Sequence, residues 1–183
     1  MKSLLEVPEI RRQVFPVSVE LYHQLTEGLR TELLRGTIIQ KMSKSPALQF
    51  FIDRLRKVLE RQISPEFLVR MEGPITTADS EPEPDVSIVR GPLENYRFAH
   101  ATTALLAVEV AVTSLEMDRA KAGIYAEAGV KEYWILCVEK QAVEVYCQPR
   151  PDGYAERSVI AAPAILECAA LAGVRVDLGA LFA

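Results

Sequence analysis

Asp85 and Glu109 stand where ionisable side chains are costly. Asp85 follows Glu83-Pro84 and opens the run Val86-Ser87-Ile88-Val89, while Glu109 sits inside the apolar stretch Leu105 to Val112. An ionised carboxylate in or beside a buried strand costs several kcal/mol unless a positive charge meets it. Two such groups converging on one point are satisfied by one divalent cation, and oxygen-only ligation suits Mg²⁺ or Mn²⁺. Phosphodiester cleavage needs such a cation on the non-bridging oxygens, a water in line with the leaving oxygen, and positive charge near the developing negative one. Asp85 and Glu109 are the expected metal ligands, with the main-chain carbonyl of Val110 as a third. Lys121 is the group expected to orient water or to stabilise the pentavalent transition state. Plainer readings stand beside these: a turn aspartate after proline for Asp85, a buried salt bridge to Lys121 or Arg119 for Glu109, and a surface lysine paired along its own helix for Lys121.

The elements that must position these groups read as a single α/β pattern. Ser18 is placed to cap a helix running to about Arg30, with Leu21, Leu25 and Leu29 at helical spacing and Gly28 marking its weakening end. Thr37 to Met42 reads as a strand. Ser43 to Pro46 then turns into a helix whose Leu48, Phe51, Ile52, Leu55, Val58, Leu59 and Gln62 trace one face. Phe67 to Met71 is a strand, and Gly73 to Pro84 an acidic loop before Asp85. Residues 91–103 break the pattern and are expected to form a loop with some helix. After the strand from Leu105 to Val112, Thr113 or Ser114 caps a helix that ends at Gly129. Met117, Ala120, Ile124 and Ala128 are its expected core stripe, with Asp118, Lys121 and Tyr125 sharing an adjacent face. Lys131 to Val138 and Ala142 to Cys147 form a hairpin about Glu139-Lys140-Gln141, and a further strand lies near Arg157 to Ile160. Strand, helix, strand from Leu105 to Val138 gives a parallel crossover inside a mixed sheet.

Composition narrows the classes. The chain of 183 residues, 49% hydrophobic and 25% charged, has the length of one domain, 1–183, with 1–17 read as an N-terminal extension. No apolar run approaches the roughly 18 residues of a membrane span, and Met1 to Pro8 lacks a signal-peptide pattern. Three cysteines without metal-ligand spacing read as buried thiols in a reducing cytoplasm. Two histidines leave little room for zinc or histidine-based mechanisms. The net charge of −4 divides into +4 over residues 1–70 and −8 over the rest. Lys41, Lys44, Arg54, Arg56, Lys57 and Arg61 therefore read either as a phosphate-facing surface or as a solvated helix face. Tyr125, Tyr133 and Trp134 read as core aromatics, and Glu116 and Asp118 as charges that complement a helix N-terminus.

Several short stretches recur together: Glu32-Leu33-Leu34-Arg35-Gly36, Met42-Ser43-Lys44-Ser45-Pro46, Glu83-Pro84-Asp85-Val86, Val108-Glu109-Val110, Asp118-Arg119, Lys121 to Ala126, and Ala128-Gly129-Val130-Lys131-Glu132-Tyr133-Trp134. Their order resembles that of the bacterial Uma-two family of endonuclease-like proteins, over roughly residues 18 to 182. The family is similar to the PD-(D/E)XK restriction-endonuclease-like superfamily. The resemblance implies a mixed central sheet flanked by helices, with an Mg²⁺ or Mn²⁺ site at its centre that hydrolyses phosphodiester bonds in DNA. It also implies a role for Glu32, an acid before the first core strand, in holding the metal or a bridging water. In the superfamily the lysine stands two residues after the strand acid, where this chain has Ala111; the family places it on the following helix, which maps onto Lys121.

Two positions depart from the family pattern. Leu48 stands where a histidine is expected after Ser45-Pro46-Ala47. The interval from Asp118 to Lys121 is one residue short, which turns Lys121 by about 100° around its helix unless the helix start shifts. These departures keep a second reading open: an inactive module of the same fold that binds nucleic acid or protein, as a homodimer built on an exposed strand or apolar face.

Overall fold

The computed structural model describes residues 15–41 and 43–183. Most of the expected extension 1–17, including Met1 to Pro8, and Met42 of the strand and motif lie outside the described residues.

Helix α1 (Val19–Thr26) starts at Ser18, whose hydroxyl accepts the N–H of Leu21 at 3.2 Å, and ends before Gly28 at φ +76°. It is shorter than the sequence pattern suggested. Leu21, Leu25 and Leu29 are all exposed, and Tyr22 is the buried residue. A hairpin follows, β1 (Thr31–Leu34) with β2 (Thr37–Gln40). Its two-residue turn is Arg35-Gly36, both at positive φ, the geometry whose twist matches the flanking strands. The reading of residues 18–42 as helix then single strand missed β1 because the turn carries arginine rather than asparagine or aspartate before its glycine.

Helix α2 (Pro46–Glu60) has Pro46 in its first turn and Ser45 as cap. Ile52, Leu55 and Leu59 are buried along the expected face, and Leu48 packs against the same core. Strands β3 (Phe67–Met71) and β4 (Val86–Arg90) come next, then β5 (Leu106–Ala111), α3 (Leu115–Glu127), β6 (Glu132–Cys137), β7 (Ala142–Arg150) and β8 (Gly153–Ala161). A small hairpin of β9 (Ile165–Glu167) and β10 (Arg175–Asp177) and a last helix α4 (Leu178–Phe182), which the sequence pattern did not foreshadow, complete the described chain.

Strands β3 to β8 form one six-stranded sheet in sequence order, antiparallel except for β5 and β6, which the α3 crossover makes parallel. The expected α/β architecture, a mixed central sheet flanked by helices, is therefore the observed one. Period-two alternation divides the sheet's side chains between two cores. Val86, Ile88, Leu106, Val108, Trp134 and Leu136 meet α2 and α4, while Val89, Ala107, Tyr133, Ile135 and Tyr146 meet α3. No helix among the described residues is long and apolar enough to cross a membrane.

The buried face of α3 differs from the expected stripe. Met117 and Ala120 are exposed, and Asp118, Lys121, Ile124 and Tyr125 point inward. Charge decides this orientation, because the sheet beneath presents Glu109 and Glu144. Glu144, buried on β7, accepts from Arg119 of α3, from Tyr146 Oη at 2.8 Å and from Arg157 at 2.8 Å. The Arg119 hydrogen bonds, followed by those of Tyr146 and Arg157, hold the Glu144 carboxyl down to about 2. A depressed carboxyl stabilises the fold above its unfolded value near 4.5 and loses that contribution as pH falls towards 2. Glu144→Gln is expected to cost about 2 kcal/mol at pH 7, with the gap from wild type closing between pH 4.5 and 2 in urea denaturation. A gap that stays constant over that window would refute the linkage.

The basic residues singled out by charge do not form one free surface. Arg54 donates to the carbonyls of Leu181 and Ala183, and Arg56 pairs with Glu60 and Asp53. Lys41 and Lys44 pair with Glu83 and Glu72. These pairs disperse the cluster into α2, the chain end and the acidic loop.

Candidate functional site

The β4 and β5 ladder ends at Val86 opposite Val108. One step further, the same register brings Asp85 opposite Glu109, and alternation puts both on the α3 face of the sheet. The strands part there, and Asp85 fills the fork. Its Oδ2 accepts the Val110 N–H at 2.8 Å, taking the place of a strand carbonyl. Within a strand the N–H and C=O of one residue point to the same edge. The Val110 carbonyl therefore also faces the fork, while Ala111 turns its carbonyl to Val138 on the β6 side.

Lys121 of α3 reaches the same place. Its Nζ lies 3.0 Å from Glu109 Oε1 and 2.9 Å from Glu32 Oε2, with Lys121 and both carboxylates nearly sealed from solvent. The short Asp118 to Lys121 interval has not turned the lysine away, because α3 begins at Leu115 and buries the face that carries both residues. Tyr125, one turn further, donates its hydroxyl to Glu109 Oε1 at 2.8 Å.

Glu32 is on β1, in the hairpin outside the six-stranded sheet. Its Oε1 accepts the Glu83 N–H at 2.7 Å and also Lys121, so the acid ties the hairpin, the loop before β4 and the lysine together. Both its oxygens are engaged. Leu48, in the helix that follows, lines the core on the other face of the sheet, so no imidazole stands in for it at the fork.

Negative charge exceeds positive charge here. Glu32, Glu83, Asp85, Glu109 and Asp118 gather around Lys41 and Lys121, with Lys41 Nζ 2.6 Å from Glu83. Burial raises the Asp85 carboxyl to about 6 against the opposing Val110 hydrogen bond and the two lysines. Burial likewise lifts Asp118 to about 7, helped by the field of Glu109. Glu109 is pushed up by burial and by Asp85 and Glu32, with Lys121 acting against the shift. Burial opposes the charge on Lys121, but Glu109, Glu32 and Asp118 outweigh it and raise its value. Glu109 and Glu32 thus favour the charged form of Lys121.

The donor set fits a hard cation. Among the described residues, Asp85 Oδ1 and Glu109 Oε2 have no hydrogen-bond partner. With the Val110 carbonyl they offer oxygen only, the chemistry of Mg²⁺ or Mn²⁺ rather than zinc. Among the described residues no three His, Cys, Asp or Glu side chains form a metal cluster. The set has two carboxylates, and the third acid, Glu32, is committed to Lys121.

Sequence reasoning brought Asp85, Glu109, Val110, Lys121 and Glu32 forward, and all five meet at this fork. It missed Lys41, Tyr125 and Asp118 as members of the same cluster. The signal for the last two was the i, i+3, i+7 spacing with Lys121; for Lys41 none stood out from its basic neighbours.

The crystal structure of a putative nuclease belonging to DUF820 from Anabaena variabilis ATCC 29413 superposes with a TM-score of 0.76 at 19% identity, covering 91% of this chain and 98% of that one. At that identity the likeness concerns the fold. No curated protein matches the chain. The Uma2 family profile, described as "Putative restriction endonuclease", matches residues 19–179. With the motifs that carry the resemblance gathered at one fork of the sheet, and the profile spanning nearly the whole described chain, this protein belongs to the Uma2 family.

Proposed function

We propose that the protein is a metal-dependent endonuclease acting on DNA as one domain, with Asp85, Glu109 and the Val110 carbonyl holding Mg²⁺ or Mn²⁺. The observation that carries this reading is the pairing of Asp85 and Glu109 across the open end of the β4 and β5 ladder, each keeping one oxygen without a hydrogen-bond partner among the described residues. The family description and the superposed nuclease support the same class. A bound divalent cation would neutralise the non-bridging phosphate oxygens and lower the pKa of water. Lys121, fixed as a cation by Glu109 and Glu32, stabilises negative charge developing at the phosphorus. Glu32 positions Lys121 and the Glu83 backbone. Tyr125 holds Glu109 Oε1, which leaves Oε2 without a hydrogen-bond partner among the described residues.

The plain salt-bridge reading of Glu109 is present in the structure, but Lys121 occupies Oε1 alone. An ion pair built only for stability would have no use for a second acid across the fork with no cation of the described residues in hydrogen-bond contact.

Purified protein is expected to nick supercoiled plasmid with Mn²⁺ or Mg²⁺ and to stop on addition of a chelator. Calorimetry should detect binding of Mn²⁺ alone, lost in Asp85→Ala. A protein that neither binds Mn²⁺ nor cuts plasmid or single-stranded DNA is the inactive module instead.

A further inference from the structure

We propose that the groove walled by residues 91–103 holds a single-stranded stretch of nucleic acid, with a base stacked on Phe98 and phosphates met by Arg90, Arg97 and Lys131. The substrate class rests on the nuclease reading, and the groove extends that reading to a second contact surface.

Two adjoining cavities, of about 290 Å³ and about 500 Å³, share Tyr96, His100 and Thr102 as walls. The first alone has room for little more than one small ligand, whereas together they make an elongated trough. Arg90 and Lys131 line one part, and Arg97, Phe98 and His23 the other. None of Arg90, Arg97 and Lys131 pairs with a carboxylate of the described residues. Of the lining residues only Glu81 is acidic, and it is already engaged by His23 at 2.7 Å and by Thr76 at 2.6 Å. In a chain of net charge −4, three unpaired cations in one trough favour a polyanion.

The aromatic side chain favours a single strand among polyanions. Phe98 is 90% exposed, with the Arg97 guanidinium 5.0 Å from its ring centroid. Guanidinium over one ring face leaves the other face open for a base, the arrangement of sequence-tolerant strand binders. A duplex keeps its bases stacked on one another and has no face to offer. The trough is also fixed in advance. Gly91 turns the chain at φ +86°, Tyr96 donates to the Arg90 carbonyl while lying under Arg70, and Ala101 bridges to Ile75. Such preorganisation lowers the entropic cost of binding.

Arg90 and Leu105 stand at the other end of β4 and β5 from Asp85 and Glu109, so the trough is a contact surface separate from the fork.

Fluorescence anisotropy with a labelled oligothymidylate, in chelator so that no strand is cut, tests this. Wild type is expected to bind. Phe98→Ala should weaken binding about fivefold or more and Phe98→Trp restore it. Arg90→Ala with Lys131→Ala should weaken it at least tenfold and reduce the slope of log affinity against log salt by about 1.4. A blunt duplex of matched length should not respond to Phe98→Ala. The substituted side chains are exposed, so unaltered thermal melting is expected in each variant. Unchanged affinity in all variants overturns the proposal. So does an effect of the charge variants with Phe98→Ala silent, which would mark a general polyanion surface. Plasmid nicking without oligonucleotide binding refutes the groove alone, and binding without nicking in Mn²⁺ refutes the nuclease alone.

Discussion

Lys121→Met is expected to lower stability by about 3–5 kcal/mol at pH 7 and to abolish cleavage. The side chain is 6% exposed, enclosed between Glu109 and Glu32. Replacing its charge by a thioether leaves two buried carboxylates without a counter-ion, which costs more than the lost hydrogen bonds themselves. Adding Glu32→Gln should return part of the loss, because one of the uncompensated charges is then gone. The sign with pH follows from the two partners. The raised value of Lys121 means its contribution is full below the unfolded value near 10.5 and fades only as pH rises through the higher folded value. Across neutral pH the contribution of Lys121 itself is therefore constant, while the variant improves further as acid protonates the Glu109 it has left unpaired. Urea denaturation at pH 7 and pH 5 should show the wild-type to variant gap narrowing on the acid side. A gap below about 1 kcal/mol at pH 7 would mean that the fold treats Lys121 as an exposed lysine.

Asp85→Asn is expected to behave in the opposite way. Cleavage should fall by roughly a hundred- to a thousandfold, while stability in chelator stays level or rises. The amide oxygen still accepts the Val110 N–H, so the fork keeps its geometry. The neutral side chain no longer bears the desolvation that pushes the carboxyl up to about 6. A residue that weakens its own fold and is indispensable to the reaction is the signature of a functional site. Paired measurements of plasmid nicking and urea midpoint decide it. Loss of stability without loss of cleavage would make Asp85 a structural cap.

Much of the frame was legible before any coordinates. Ser45-Pro46 and the α2 stripe, the apolar run of β5, and the hairpin about Lys140 each combine a local signal with a period that admits one element type. The β1 hairpin and the β9 to α4 segment were not legible, since short strands with unremarkable turn residues carry no period long enough to read. On α1 the spacing of Leu21 and Leu25 is helical as expected, while Leu29 lies beyond the helix end, and all three leucines are exposed with Tyr22 facing in. Spacing tells which residues share a face and leaves open which face is covered.

The same distinction separates what the candidate site owed to sequence from what it owed to folding. Sequence alone determined that Asp85 would lie beside a strand and Glu109 in one, where a bare charge is costly, and that Lys121 shares a helix face with Asp118 and Tyr125. Those facts follow from local period and residue type. Tertiary structure decided which face of α3 turned inward, because that choice depends on Glu109 and Glu144 in strands distant along the chain. It also decided that Glu32 would serve Lys121 rather than stand free. Only the ladder's end at Val86 and Val108 brings the two acids across from each other, since register between strands is a property of the assembled sheet and of no single segment.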